Sequence, residues 1–160
     1  MAWQRNPQDS TALTAAGFIL SNAGNPLEGI RLLERALRIN PRDPYACVTY
    51  TNLANAHLAA RAYAKGLEWA RRSTTAAPDF AHAYLIMAAL QVGLGDLPRA
   101  KAALETSRRL APEGLRIRSG AALPYPNSLA EDGADLRLRF HTFLRVAAGL
   151  EAPGAADLLR

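Results

Sequence analysis

Four prolines fall in phase along the chain: Pro7, Pro41, Pro78 and Pro112, with spacings of 34, 37 and 34 residues. Each is followed within two residues by an acid: Asp9, Asp43, Asp79 and Glu113. The last three close similar stretches, LLERALRINP, EWARRSTTAAP and ALETSRRLAP. A fixed period of about 20–50 residues is the signature of stacked repeats. It constrains the fold strongly, because each unit must bury its apolar face against its neighbours.

Between the prolines, each unit reads as two helices. In the first, STALTAAGFILSNAG precedes Asn25 as N-cap and Pro26 at the first helical position of PLEGIRLLERALRIN. Ile30, Leu33 and Leu37 form its apolar stripe. In the second unit, Asp43 is the expected cap and Pro44 the first helical residue, so that an early start absorbs the three extra residues. That helix runs to about Ala60, and its partner covers about Ala62 to Ala76. The third unit pairs FAHAYLIMAALQVGLG with LPRAKAALETSRRLA, the latter capped by Asp96.

Small residues recur in phase. Gly17, Ala54 and Ala88 sit in the first helices; Gly29, Gly66 and Ala100 sit in the second, followed seven residues later by Ala36, Ser73 and Ser107. A glycine inside a helix costs about 1 kcal/mol relative to alanine. Close approach of the two helix axes is the expected compensation. Glu34/Arg38, Glu68/Arg72 and Glu105/Arg109 have the spacing of helical ion pairs.

This pattern resembles the tetratricopeptide repeat (TPR), a helix–turn–helix of about 34 residues with small residues at the hairpin contact and a proline after the second helix. The resemblance spans residues 7 to 112 and implies an all-α, right-handed superhelix of three hairpins. It divides the chain into a remnant of a preceding repeat (1–7), repeats at 8–41, 42–78 and 79–112, and a helical cap and tail at 113–160. On this reading Asn6-Pro7 closes a repeat whose helices are mostly missing, Trp3 covers the exposed first hairpin, and the chain is part of a longer array.

Beyond Pro112 the period stops. Leu115 and Ile117 are read as a short helix, the prolines at 124 and 126 as an extended or turn path, and Leu136, Phe140, Phe143 and Leu144 as a helix with Gly149 as its C-cap. An end repeat needs its apolar face covered, and this segment is the expected cap. A narrower resemblance lies in residues 115–118, Leu123-Pro124-Tyr125, residues 140–145 and Gly149-Leu150-Glu151. They are similar to the C-terminal TPR region of bacterial class III adenylate cyclases and related signalling proteins. Residues 127–135 and the final PGAADLLR depart from that pattern.

The charge of +5 comes with 17 Arg and 2 Lys, spread along every segment without a basic block, which disfavours nucleic acid as a partner. No apolar run approaches the roughly 20 residues of a membrane span. Cys47 stands alone, as expected of a reducing, cytoplasmic compartment. His57, His82 and His141 lack metal-ligand spacing, although His57 and His82 lie on neighbouring first helices that face the groove. Glu131, Asp132 and Asp135 lack the pattern of a calcium loop. No nucleophile elbow or P-loop is present, so neither an enzyme nor a cofactor is expected.

The resemblance implies that the first helices line a groove holding a peptide or helix of another protein. Its groove positions project onto Thr11, Thr14, Phe18, Ser21 and Asn22, then Val48, Thr51, Asn55 and Leu58, then His82, Leu85, Ala89 and Val92. Phe18, Asn55 and Leu85 are the expected anchors. Only Asn55 matches the Lys/Arg/Asn set of TPRs that clamp chaperone tails. The leading expectation is therefore an interaction module at the regulatory or scaffolding end of a bacterial signalling protein. The alternatives are self-association through the Phe140/Phe143 helix and a ligand or nucleic-acid sensor.

Overall fold

The structure is a computed structural model that describes residues 9–111 and 134–160. The expectations for Asn6-Pro7, Trp3, Pro112, residues 115–117, residues 123–127, Glu131 and Asp132 lie outside the described residues. Within them are eight helices: α1 (Ser10–Asn22), α2 (Pro26–Ile39), α3 (Ala46–Ala59), α4 (Tyr63–Ala76), α5 (Ala81–Gly93), α6 (Leu97–Leu110), α7 (Ala134–Ala147) and α8 (Gly154–Asp157). The first six form three hairpins, α1/α2, α3/α4 and α5/α6.

Each hairpin turns in the same way. The residue after the helix cap is left-handed: Gly24 (φ 87°), Arg61 (φ 58°) and Gly95 (φ 80°). The following amide reaches back to the helix: Asn25 to the Leu20 carbonyl, Ala62 to His57 and Asp96 to Gln91, each at 2.8–2.9 Å. This bond closes the last turn and satisfies a carbonyl otherwise left open. Glycine takes the left-handed position without steric cost, so Arg61 is the exception.

The phased small residues lie where the helices cross. A methyl group added at Gly29 would sit 2.6 Å from the Gly17 carbonyl oxygen, and one added at Gly66 would sit 2.6 Å from Leu90 Cδ2 and 3.1 Å from the Ala54 carbonyl oxygen. The serines also bond. Ser73 Oγ donates to the Cys47 carbonyl (2.8 Å) and Ser107 Oγ to the Ala81 carbonyl (2.7 Å), tying the end of one helix to the start of its partner.

Several local expectations are corrected. The three extra residues of the second unit do not lengthen α3. They form a turn in which the Asp43 carboxylate accepts from the Tyr45 amide (2.9 Å), and the helix begins at Ala46. Asn25 makes no side-chain cap bond, whereas Asp96 caps α6 by accepting from the Arg99 amide. The three expected i,i+4 pairs are not formed; within the hairpins, Arg31–Glu28 (2.8 Å) and Arg99–Asp96 (2.9 Å) pair at i,i+3 instead. Arg72 lies over the Trp69 ring instead, 4.5 Å from its centroid.

Helix α1 packs on α3, and α3 on α5, whereas α2 barely meets α4 and α4 barely meets α6. The first helices therefore form a continuous inner layer and the second helices an outer one, the arrangement of a TPR-like solenoid. Helix α7 packs chiefly against α5 and to a smaller extent against α6, so the last hairpin is covered from the inner side. Gly149 (φ 72°) ends α7 as expected, with the Leu150 amide bonded to the Arg145 carbonyl at 2.9 Å. The PGAADLLR tail adds the single turn α8, whose Ala156 is fully buried.

Candidate functional site

The inner layer carries its own helix. Leu58, Leu85, Ala89 and Val92, all projected groove positions, are 0% exposed. They share one cluster with Leu136, Phe140, Phe143 and Leu144 of α7 and with Tyr63. The Phe143 ring meets Tyr63 at 5.9 Å. Phe140 and Phe143, the expected self-association contact, are thus engaged inside the chain.

Polar groups fix α7 in place. Arg139 lies within its apolar stripe and is fully buried. Its Nη1 donates to the Leu58 (3.1 Å) and Ala59 (3.2 Å) carbonyls, its Nε to the Leu159 carbonyl (3.1 Å), and its Nη2 to Asp135. Arg160 bonds Asp157 and donates to the Val92 carbonyl at 3.0 Å. Arg61 donates to the Arg160 carbonyl at 2.8 Å. The Leu58, Ala59 and Val92 carbonyls end α3 and α5, where the helix dipole is negative and a cation is favoured. The C-terminal segment therefore caps two helices of the repeats while its apolar face fills the layer between them.

The other projected residues are arranged differently. Thr11 is exposed and Thr14 half-buried, its hydroxyl 3.1 Å from that of Thr49. Phe18 is half-buried and Val48 is 38% exposed. Asn22 donates to the Phe18 carbonyl, and Asn55 Nδ2 lies 3.4 Å from Asn22 Oδ1, so two buried amides bridge α1 and α3. Ser21 bonds the Gly17 carbonyl, and Thr51 turns its hydroxyl to Ser73 (2.8 Å). His82 is half-buried near Phe80.

His57 does not join His82 in the groove. It is buried beside Gly66, inside the second hairpin. Among the described residues, no group of three or more His, Cys, Asp or Glu is placed to hold a metal ion. No described helix is long and apolar enough to cross a membrane. Burial lowers the His57 pKa below 6.5; Lys65 adds to this, while Glu34 and Glu68 oppose it. Burial also lowers that of His82. The folded chain therefore binds fewer protons than the unfolded one just below pH 6.5, and stability falls as pH drops toward the folded-state values. Urea midpoints should decrease from pH 7.5 to 5.5. His57→Leu, which installs the residue that repeat one carries as Leu20, should flatten the decrease. An unchanged slope would remove His57 from the explanation.

No protein-family model matches the chain, and no curated protein matches it significantly. Among solved structures, the chain is similar to the crystal structure of MamA, with a TM-score of 0.63 and 16% identity over 99% of this chain and 78% of that one. At this identity the likeness is one of fold, and it agrees with the TPR-like hairpin stacking.

Proposed function

We propose that the chain is a non-catalytic protein-interaction module that recognises an amphipathic helix on its inner layer. One observation carries this reading: the layer already holds such a helix, α7, with Leu58, Leu85, Ala89 and Val92 buried beneath it. A partner helix would carry the same kind of stripe as α7 and would compete with it. Thr11, Thr14 and Phe18, at the repeat-one end, would extend the contact. The module's place at the regulatory or scaffolding end of a bacterial signalling protein, such as an adenylate cyclase, is supported by the sequence resemblance of its C-terminal region.

The test is binding of a fluorescein-labelled peptide with the sequence of residues 134–150 to the full chain. Wild type should bind it weakly, because α7 is already docked. Phe143→Ala removes a fully buried ring from α7 and should weaken that docking by about 3–5 kcal/mol, leaving the layer beneath intact. Peptide affinity should then rise by at least about tenfold. If the variant keeps its helical circular dichroism and binds no better than wild type, the inner layer is not a helix-binding surface.

A further inference from the structure

The outer layer carries a second feature, unrelated to α7. A cleft of about 570 Å³ opens between the first two hairpins, lined by Glu34, Leu37, Arg38, Pro41, Tyr50, Trp69 and Arg72. The Tyr50 and Trp69 rings stack at 5.7 Å with 25° between their planes. Half-buried Leu37 and Trp69 continue the small core of Leu33, Leu53 and Ala56 to the surface. The rim guanidiniums of Arg38 and Arg72 are exposed and make no ion pair with any described carboxylate, including Glu34 and Glu68.

The repeat itself does not require these residues. Counting back from the closing proline, the next unit has Ala103 where Trp69 stands and Thr106 where Arg72 stands. Counted from Pro78, Thr74 and Thr75 replace Leu37 and Arg38. That unit still folds as a hairpin, and the hollow beside Tyr84, Ala103 and Thr106 is smaller, about 250 Å³. Among the described residues, the tyrosine recurs as Tyr84, whereas the Tyr–Trp stack and the two rim cations occur at the first hairpin junction.

We infer that this cleft docks an acidic peptide segment with a large apolar side chain between carboxylates. The apolar group would lie on Leu37, Tyr50 and Trp69, and a flanking carboxylate would bridge Arg38 and Arg72. Charge complementarity argues for this occupant: the chain is +5 overall, and both rim cations are free to take a carboxylate. Aromatic residues and arginine are the side chains that most often dominate binding energy. Nucleic acid fits less well. Arg72 already covers the Trp69 face on which a base would stack.

The probe is a short blocked peptide with one phenylalanine between glutamates, measured by calorimetry on the full chain at low salt. Its glutamine counterpart and an oligo-dT serve as comparisons. The glutamate peptide should bind about tenfold tighter than the glutamine one, more weakly as salt rises. Arg38→Gln with Arg72→Gln should lose that preference, whereas Arg99→Gln, an equally exposed arginine paired with Asp96, should retain it. Both substitutions lie on exposed side chains, so thermal melts should match wild type. Binding that is absent, unaffected by the Arg38/Arg72 changes, or exceeded by oligo-dT would overturn the inference. The Phe143→Ala variant should bind the glutamate peptide as wild type does, which separates this site from the inner layer.

Discussion

Gly29→Ala should destabilise the first hairpin, although alanine is the better helix former. The added methyl would lie 2.1 Å from Ser21 Oγ, 2.6 Å from the Gly17 carbonyl oxygen and 3.1 Å from the Ser21 amide nitrogen. The serine hydroxyl could swing aside only by giving up its 2.7 Å bond to the same Gly17 carbonyl. The other two contacts are backbone, so relief requires the helices to separate. Gly17 shows the same contact from the other side, with the Gly29 carbonyl oxygen 2.8 Å from its added methyl. Overpacking of this kind costs about 3 kcal/mol, and the gain in helix propensity offsets about 1 kcal/mol. A net loss of about 2 kcal/mol would fall on one repeat of a chain whose whole stability is of order 5–15 kcal/mol. Amide exchange should show α1 and α2 opening before α5 and α6. Ala100→Gly, the equivalent position in the third hairpin, is the control: it loses about 1 kcal/mol of helix propensity and one buried methyl, about 0.8 kcal/mol, and should leave α1 and α2 as protected as in wild type. A Gly29→Ala chain as stable as wild type would mean that the axes do not meet there.

The hairpins were legible because their signals are local and repeated. The proline phase located the units, and Gly17, Gly29 and Gly66 marked the crossings where a side chain has no room. Other features escaped for physical reasons. Pro44 suits a helix start and a turn equally well, and the Asp43 side chain selects the turn. The C-terminal segment was legible as a cap for the last repeat, but not that its helix would lie on Leu58, Leu85, Ala89 and Val92, the positions projected for a partner. That α7 does so depends on contacts across more than forty residues of sequence, which no periodicity encodes. Two signals were present but unread. Arg61 occupies a turn position that is glycine in the other hairpins, and Arg139 interrupts an otherwise apolar stripe. Each breaks a local rule, and both belong to the contact that holds α7. Trp69 and Arg72 were likewise visible as departures from the repeat, once their counterparts Ala103 and Thr106 were aligned by the closing prolines.

Arg139→Ala should have the other large effect, confined to the C-terminal segment. The guanidinium is 0% exposed and serves main-chain acceptors on two elements, Leu58 and Ala59 at the end of α3 and Leu159 beyond α8. Truncation leaves those carbonyls without a cation and vacates the volume of a large side chain. Hydrogen bonds to a charged group contribute about 1.5–3 kcal/mol each, and three main-chain acceptors lose theirs at once. Docking of α7 cannot survive a loss of that size. The hairpins can, because each repeat is held mainly by its neighbours. The expected result is a chain with α1–α4 protected in amide exchange, α7 amides exchanging freely, and dye-binding apolar surface where Leu85, Ala89 and Val92 become uncovered. Arg139→Lys should recover little, since one ammonium cannot span carbonyls that the planar fork reaches together. Protected α7 amides in the alanine variant would show that the apolar contacts of Phe140 and Phe143 hold the helix unaided. If α7 is released, the labelled peptide of residues 134–150 should bind the Arg139→Ala chain as it binds Phe143→Ala. Two unrelated lesions, one polar and one apolar, would then uncover the same surface.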